Sequence, residues 1–206
     1  MKKNWIFILI IGLVLISCSE KKHHDSHDES VMKSEAMHND KNGHHTDDEK
    51  HSNEMMSETK MMKSDLSVGI VNAYMNLKNA LVKDDRDMAA DAGQKVVDAF
   101  SNFDNSKLKE DQRKEYSEIA ENAIEQGEHI AKSDIGHQRE HFVTLSNDVY
   151  DLIKLVGTNK HLYKDYCSMY KKGKGAHWLS ETKTIENPYY GAKMLNCGEI
   201  KEEINK

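Results

Sequence analysis

The distribution of apolar residues changes abruptly near residue 66. Between Ser19 and Asp65 the chain has almost no apolar residues apart from Met, Val31 and Ala36, and no helical or strand period that could bury a face. From Leu66 onward, apolar residues recur three and four positions apart. A segment that buries no face cannot offset its loss of conformational entropy. Residues 18–65 are therefore predicted to be a disordered tether, and residues 66–206 to fold.

The periodic part of the chain predicts four amphipathic helices. They begin at Asp65 or Ser67, at Asp84 or Asp85, near Ser106 and at Ser133 or Asp134, and the last ends at Gly157. Short connections between such helices imply an antiparallel bundle. After Gly157 the period breaks into a glycine-punctuated stretch. The expected fold class is all-α: an antiparallel four-helix bundle followed by a loop-rich C-terminal segment and preceded by the disordered tail. The predicted apolar stripes are Leu66, Ile70, Tyr74, Leu77 and Leu81; Ala89, Ala92, Val96, Ala99 and Phe103; Tyr116, Ile119, Ala120, Ala123 and Ile130; and Ile135, Gln138, Phe142, Leu145, Val149, Leu152 and Val156.

The first 18 residues have the features of an export signal. Lys2 and Lys3 precede an apolar run that ends at Ser17-Cys18, and the run is too short for a convincing membrane span. The end Leu15-Ile16-Ser17-Cys18 resembles the lipobox of bacterial lipoproteins. This predicts that residues 1–17 are a signal peptide and that Cys18 is lipidated. A plain signal peptide with an incidental Cys18 is the alternative. We expect a lipid-anchored protein of the bacterial envelope, on the periplasmic or surface face of the outer membrane.

The formal net charge of -6 argues against a nucleic-acid partner, since phosphate contacts need a basic surface. Removal of residues 1–17 takes away Lys2 and Lys3 and leaves 27 basic against 35 acidic residues, a net charge of -8. That charge would not draw the protein to anionic lipid, so the expected membrane contact is the lipid attached to Cys18.

The tether concentrates metal-ligand side chains. It holds seven of the 12 histidines and six of the 11 methionines. Neutral imidazole binds Zn, Cu(II) or Ni, while thioether sulfur selects Cu(I), so such a tract favours a collector of metal ions. A solvated spacer is the simpler alternative. The histidines are His23, His24, His27, His38, His44, His45 and His51.

Two sulfur clusters lie in the C-terminal segment. Cys167 and Met169 form one, and Met194 and Cys197 form the other. Four sulfur ligands suit Cu(I) better than Zn. An exported location also permits a Cys167–Cys197 disulfide, which would close a loop of about 30 residues and contribute about 3–4 kcal/mol. The residues alone leave these two hypotheses open.

A pair of histidines adds a third candidate. His137 and His141 are four residues apart on the fourth helix, so their imidazoles can share a metal ion, although such surface pairs are usually only solvated. The chain lacks a haem-attachment motif, a phosphate loop, a zinc-protease helix and a nucleophile elbow, so we expect no enzyme.

Several ordered motifs between about Leu66 and Ile200 resemble the domain of unknown function 3347. They are Leu77-Lys78-Asn79-Ala80-Leu81-Val82-Lys83-Asp84-Asp85, Ile135-Gly136-His137-Gln138-Arg139-Glu140-His141-Phe142, Tyr166-Cys167-Ser168-Met169, Gly175-Ala176-His177-Trp178-Leu179-Ser180, Ile185-Glu186-Asn187-Pro188-Tyr189-Tyr190-Gly191 and Met194-Leu195-Asn196-Cys197-Gly198. This domain occurs in exported bacterial lipoproteins and in adaptor subunits of heavy-metal efflux pumps.

The resemblance implies an all-helical domain that handles copper or another heavy metal, with a pump component as a partner. It also implies a site at Cys167, Met169, Met194 and Cys197, with His141 as a possible fifth ligand. Family members usually have proline where this chain has Ser168. The residues implied to pack and orient the loop are Trp178, Asn187, Pro188, Tyr189 and Tyr190. The resulting hypothesis is a lipoprotein that sequesters heavy-metal ions or hands them to an efflux system. The alternative is a non-catalytic structural module with a Cys167–Cys197 disulfide.

Overall fold

The computed structural model describes residues 66–204. Within this range four long helices pack together, as predicted. They are α1 (Val68–Val82), α2 (Arg86–Ser101), α3 (Glu110–Lys132) and α4 (Ile135–Val156). None of the helices in this range is long and apolar enough to cross a membrane. The predicted signal peptide (1–17), the lipidation site Cys18 and the histidines of the tether lie outside the described residues.

Capping side chains set the helix starts. The Asp85 carboxylate accepts a hydrogen bond from the Met88 amide, and the Asp134 carboxylate accepts from the Gly136 and His137 amides in the first turn of α4. The prediction that α3 begins near Ser106 is wrong. Asp104 caps a separate 3₁₀ turn, Asn105–Lys107, and α3 starts only at Glu110.

The end of α2 also differs from the predicted stripe. The helix stops at Ser101, so Phe100 fills the core at 2% exposure. Phe103 lies beyond the helix and stacks on Tyr116 with ring centroids 4.2 Å apart. The Tyr116 hydroxyl donates to the Phe100 carbonyl at 2.6 Å, which ties the end of α2 to α3.

Consecutive helices run antiparallel. Gly93 of α2 approaches Gly127 of α3, while Phe100 near the end of α2 meets Tyr116 near the start of α3. In the same way, Gln126 near the end of α3 contacts His141 near the start of α4. The short connections predicted from the sequence therefore produce the expected antiparallel order.

The C-terminal part contains a sheet that corrects the all-α prediction. Its strands are β1 (Leu162–Cys167), β2 (Ala176–Ser180) and β3 (Glu199–Ile204), in the order β2-β1-β3. Both pairs are antiparallel, with Cys167 opposite Ala176 and Tyr166 opposite Glu199. The described segment after Gly157 therefore carries a small antiparallel sheet and is not only loop, so the domain is not purely all-α.

The sheet packs onto the helices through buried aromatic residues. The Tyr74 hydroxyl of α1 accepts a hydrogen bond from the Leu179 amide at 3.0 Å and lies 2.9 Å from the Ser146 hydroxyl of α4. These bonds join α1, α4 and β2. The largest fully buried side chains of the combined core are Trp178, Tyr74, Phe100, Phe142, Ile70, Leu77, Leu81, Ile130, Leu145, Leu152, Leu162 and Leu179.

Candidate metal centre

The structure brings Cys167 and Cys197 together. Cys167 is the last residue of β1 and is fully buried, while Cys197 lies two residues before β3 and is half-buried. Because β1 and β3 pair, the register carries the two residues to the same end of the sheet. Their Sγ atoms are 3.2 Å apart and both residues are free thiols. The structure thus holds two soft sulfur donors, one at the end of β1 and one just before β3, with no covalent bond between them.

Asn187 holds the segment that carries Cys197. Its side-chain amide donates to the Cys197 carbonyl at 2.6 Å, and its backbone amide donates to the Leu195 carbonyl at 2.7 Å. Gly198 follows Cys197 and allows a close approach, since a Cβ there would lie 2.7 Å from the Trp178 ring. Asn187 is fully buried, so these bonds act in a dry environment and fix the position of the thiol.

Tyrosines hold the segment after Cys167. The Tyr190 hydroxyl donates to the Met169 carbonyl at 3.1 Å. Tyr189 packs on Tyr170 with ring centroids 4.5 Å apart, and its hydroxyl donates to the His177 carbonyl. Residues 187–190 therefore contact both sulfur-bearing segments, which is the packing role that the family resemblance implies for them.

The two methionines differ in exposure. Met169 is 56% exposed, two residues after Cys167, whereas Met194 is half-buried and its carbonyl accepts the Cys197 amide at 3.0 Å. With the side chains of residues 66–204 in their present positions, no three His, Cys, Asp or Glu side chains converge on one metal position. The thiols therefore supply two ligands, and further soft ligands would have to come from these thioethers. That donor set fits Cu(I) and does not resemble a structural zinc site.

Cys197 and the nearby Asp165 both have raised pKa values, which favours their protonated forms. The hydrogen bond with Cys167 raises the pKa of Cys197, and burial raises it further. Asp165 lies two residues before Cys167, on the same side of β1, and is fully buried. Neither its carboxylate oxygens nor the Nε1 of Trp178, its cross-strand partner, has a hydrogen-bond partner in the described part of the chain. Burial raises the pKa of Asp165 to about 7, although Lys78 acts to lower it.

His141 lies beside α3 instead of beside the thiols. Its Nδ1 is 2.8 Å from Gln126 Oε1, and its Nε2 is 3.0 Å from His137 Nε2. The His129 ring of α3 stacks on it with centroids 4.5 Å apart. Arg139 and Tyr150 of α4 contact the C-terminal segment, and at 3.6 residues per turn they lie roughly opposite His141 on the helix. The structure therefore gathers three histidines away from the sulfur pair.

Sequence reasoning missed His129 and Gln126 as neighbours of His141. The signal was present in the connection between the helices, because α3 and α4 are separated only by Ser133 and Asp134. Residues similarly distant from such a short turn lie side by side in an antiparallel pair. His129 precedes the turn by about as many residues as His137 follows it.

Comparison with known proteins supports the family resemblance. Residues 70–161 match the family model described as a protein of unknown function (DUF3347). The match covers most of the four helices and ends before β1, so both cysteines of the sulfur pair lie outside it. No curated protein and no solved structure matches the chain.

Proposed function

Because residues 70–161 belong to the DUF3347 family, whose description names no activity, we propose a function from the chain's own residues. The protein is an envelope lipoprotein that binds heavy-metal ions, and Cu(I) is the ion expected at Cys167 and Cys197. One observation carries the proposal: two thiols from separate segments lie 3.2 Å apart, and each has a methionine two or three residues away along the chain. Thiolate and thioether sulfur are the ligands that select Cu(I).

Binding would use the existing arrangement with small changes. The Cys197 thiol has a raised pKa, so it would release its proton as the metal–sulfur bond forms. Asn187 and Tyr190 hold the backbones on either side and limit how far the sulfurs can separate.

The rest of the proposal concerns the part of the chain before residue 66. A lipid on Cys18 would hold the domain at the membrane, and the seven histidines of the tether would collect Zn, Cu(II) or Ni. The outcome would be sequestration or hand-over of ions to a heavy-metal efflux component. Support for this part comes from the lipobox-like sequence and from the ligand content of residues 18–65.

The same sulfur contact supports a second candidate, a structural or interaction module with a Cys167–Cys197 disulfide. A move of about 1 Å would bring the sulfurs within the bond length of about 2.05 Å. Forming that bond requires an oxidant, such as an exported thiol–disulfide oxidoreductase, to accept two electrons while two protons leave the thiols. Metal binding by both thiolates and a disulfide exclude each other at any moment.

The test is an anaerobic Cu(I) titration of the full chain against a competing chromogenic chelator. Replacing both Cys167 and Cys197 by Ser should weaken the tightest site at least tenfold, since it removes both thiolates. Met169→Leu should weaken it less. Met88→Leu is the matched control, because Met88 is 53% exposed on α2 but far along the chain from either cysteine. Unchanged affinity in the double Ser variant would refute the sulfur site.

The two candidates are separated by the mass of the intact protein isolated from its native envelope. A mass that rises by two hydrogen atoms on reduction favours the structural module. A mass that reductant leaves unchanged favours the thiol site.

A further inference from the structure

Three imidazoles meet where the end of α3 passes the start of α4. His141 Nε2 lies 3.0 Å from His137 Nε2, and the His129 ring stacks on the His141 ring within 2° of parallel. His129 and His137 each expose about half of their side chains, at 52% and 51%. The cluster can therefore be reached from solvent.

A chain of hydrogen bonds sets the tautomer of His141. The Asp148 carboxylate accepts from the Asn122 amide group at 2.8 Å, and Asn122 Oδ1 accepts from Gln126 Nε2 at 3.3 Å. Gln126 Oε1 is then left to accept from His141 Nδ1 at 2.8 Å. Burial raises the pKa of Asp148 to about 6, so above that pH its carboxylate is ionised and can only accept, which fixes the direction of every bond in the chain. That direction puts the proton of His141 on Nδ1 and the lone pair on Nε2.

The second imidazole is oriented in the same way. His137 Nδ1 lies 3.4 Å from Glu140 Oε2, which favours a proton on that nitrogen. In that tautomer the two Nε2 lone pairs face each other across 3.0 Å. Such a pair repels unless a cation or a proton lies between the two nitrogens. In a tetrahedral zinc site, with bonds of about 2.0–2.1 Å, two ligand nitrogens are about 3.3 Å apart.

We propose that His137 and His141 bind a divalent cation of borderline softness through their Nε2 atoms, with His129 as the third donor. An acceptor on the remaining ring nitrogen is the usual outer support of a metal-binding histidine, and Gln126 and Glu140 provide it here. His129 Nε2 now lies 3.9 Å from Glu125 and must turn about its side-chain torsions to reach the ion.

This site is independent of the sulfur pair and does not rest on the proposed function. His141 and Asp148 are seven residues apart and both contact α3. The Arg139 carbonyl, which accepts from Tyr170, and the Tyr150 hydroxyl face the C-terminal segment from the other side of α4. Imidazole donors also select Zn²⁺ or Cu²⁺ over Cu(I), so the two sites differ in the ions that they favour.

The test follows histidine side-chain ¹⁵N resonances of the full chain by NMR during addition of Zn²⁺, with Cys167 and Cys197 both replaced by Ser. One equivalent of Zn²⁺ at the site should shift the Nε2 resonances of His129, His137 and His141 together. His161, an exposed histidine beside Glu203, is the control and should not shift with them. His141→Gln should abolish the response of the other two histidines, while the backbone amide spectrum reports that the fold is intact.

Two outcomes would overturn the proposal. One is an absence of shifts at His137 and His141 when the histidines of the tether are saturated. The other is a Zn²⁺ response of His137 and His129 that persists in His141→Gln. Because the thiols are absent from this variant, neither outcome bears on the Cu(I) site.

Discussion

Asp165 is the least compensated side chain in the described core. Both its carboxylate oxygens are buried without a hydrogen-bond partner in residues 66–204, and the facing Trp178 Nε1 is also unpaired. Lys78 acts to lower the pKa of Asp165, but burial dominates and raises it to about 7. An ionised carboxylate at this position costs stability because nothing replaces its lost hydration.

Asp165→Asn is therefore expected to raise the free energy of unfolding at pH 8 by about 2 kcal/mol. In the folded state the pKa is raised from 3.8 to about 7, so ionisation penalises the native protein. The penalty begins as the pH rises past about 4 and is complete above about 7, so the gain in Asp165→Asn should shrink toward pH 4. Urea unfolding of both proteins at a series of pH values measures the difference in their free energies of unfolding. The exposed Asp91, replaced by Asn, is the control. Equal pH dependence in wild type and Asp165→Asn would contradict the account.

At the residue scale the sequence predicted the sulfur pair better than the histidine cluster. Cys167 and Cys197 are the only cysteines after Cys18, so few pairings were available. The grouping of His129 with His141 depends on which faces of α3 and α4 meet. A single sequence shows which residues of each helix face the core. It does not show which polar residues at the edge of that face will contact the neighbouring helix.

Among the elements, the helices were predictable and the strands were not. Each helix carries a buried stripe three and four residues apart, as at Phe142, Leu145 and Val149. The strands are only five or six residues long. β1 has no clean alternation of buried and exposed residues, and β3 (Glu199–Ile204) is mainly exposed and charged. Their pairing depends on contacts between distant segments that periodicity does not record.

The packing of α2 against α3 depends on two glycines. A Cβ on Gly93 would lie 2.8 Å from Ile130 Cγ2 and 3.1 Å from the Gly127 carbonyl oxygen, and a Cβ on Gly127 would lie 2.8 Å from Val97 Cγ2. The backbones of the two helices therefore approach closely at this point. Any side chain larger than hydrogen would push the helices apart.

Gly93→Ala is expected to lower the free energy of unfolding by about 1–2 kcal/mol, even though alanine favours a helix by about 1 kcal/mol, because overpacking costs about 1–3 kcal/mol. Gly69→Ala on α1 is the matched control, since a Cβ there meets nothing within 4 Å. It should be neutral or slightly stabilising. Thermal or urea unfolding of both variants measures the difference. Equal stabilisation of the two variants would show that the helices do not approach as described.

Across the described domain, Arg139 connects the helices to the sulfur-bearing segment. Its guanidinium donates to the Asp84 carboxylate at 2.5 Å and to the Leu81 carbonyl at 2.9 Å, both at the end of α1. It also donates to the Pro188 carbonyl at 2.8 Å. The Ala192 amide donates to the same Asp84 carboxylate at 2.9 Å. These bonds lower the pKa of Asp84 and hold residues 188–192 against α4 and the end of α1.

The whole chain combines a domain that the structure describes with an N-terminal part known here from its sequence. The match to the DUF3347 family model covers residues 70–161, which include most of the four helices. The proposed chemistry rests on residues 167–197, where β1, the 3₁₀ turn Gly191–Lys193 and the approach to β3 bring the thiols together. The proposed function therefore depends on which side chains bind a copper ion within residues 167–197.

X-ray absorption at the copper edge tests that claim most directly. The sample is the full chain with one equivalent of Cu(I), compared with the variant in which Cys167 and Cys197 are both Ser. The account predicts a shell of sulfur ligands that includes both thiolates, and loss of those thiolates in the Ser variant. A shell of nitrogen ligands, or a sulfur shell that the two Ser substitutions leave unchanged, would contradict it.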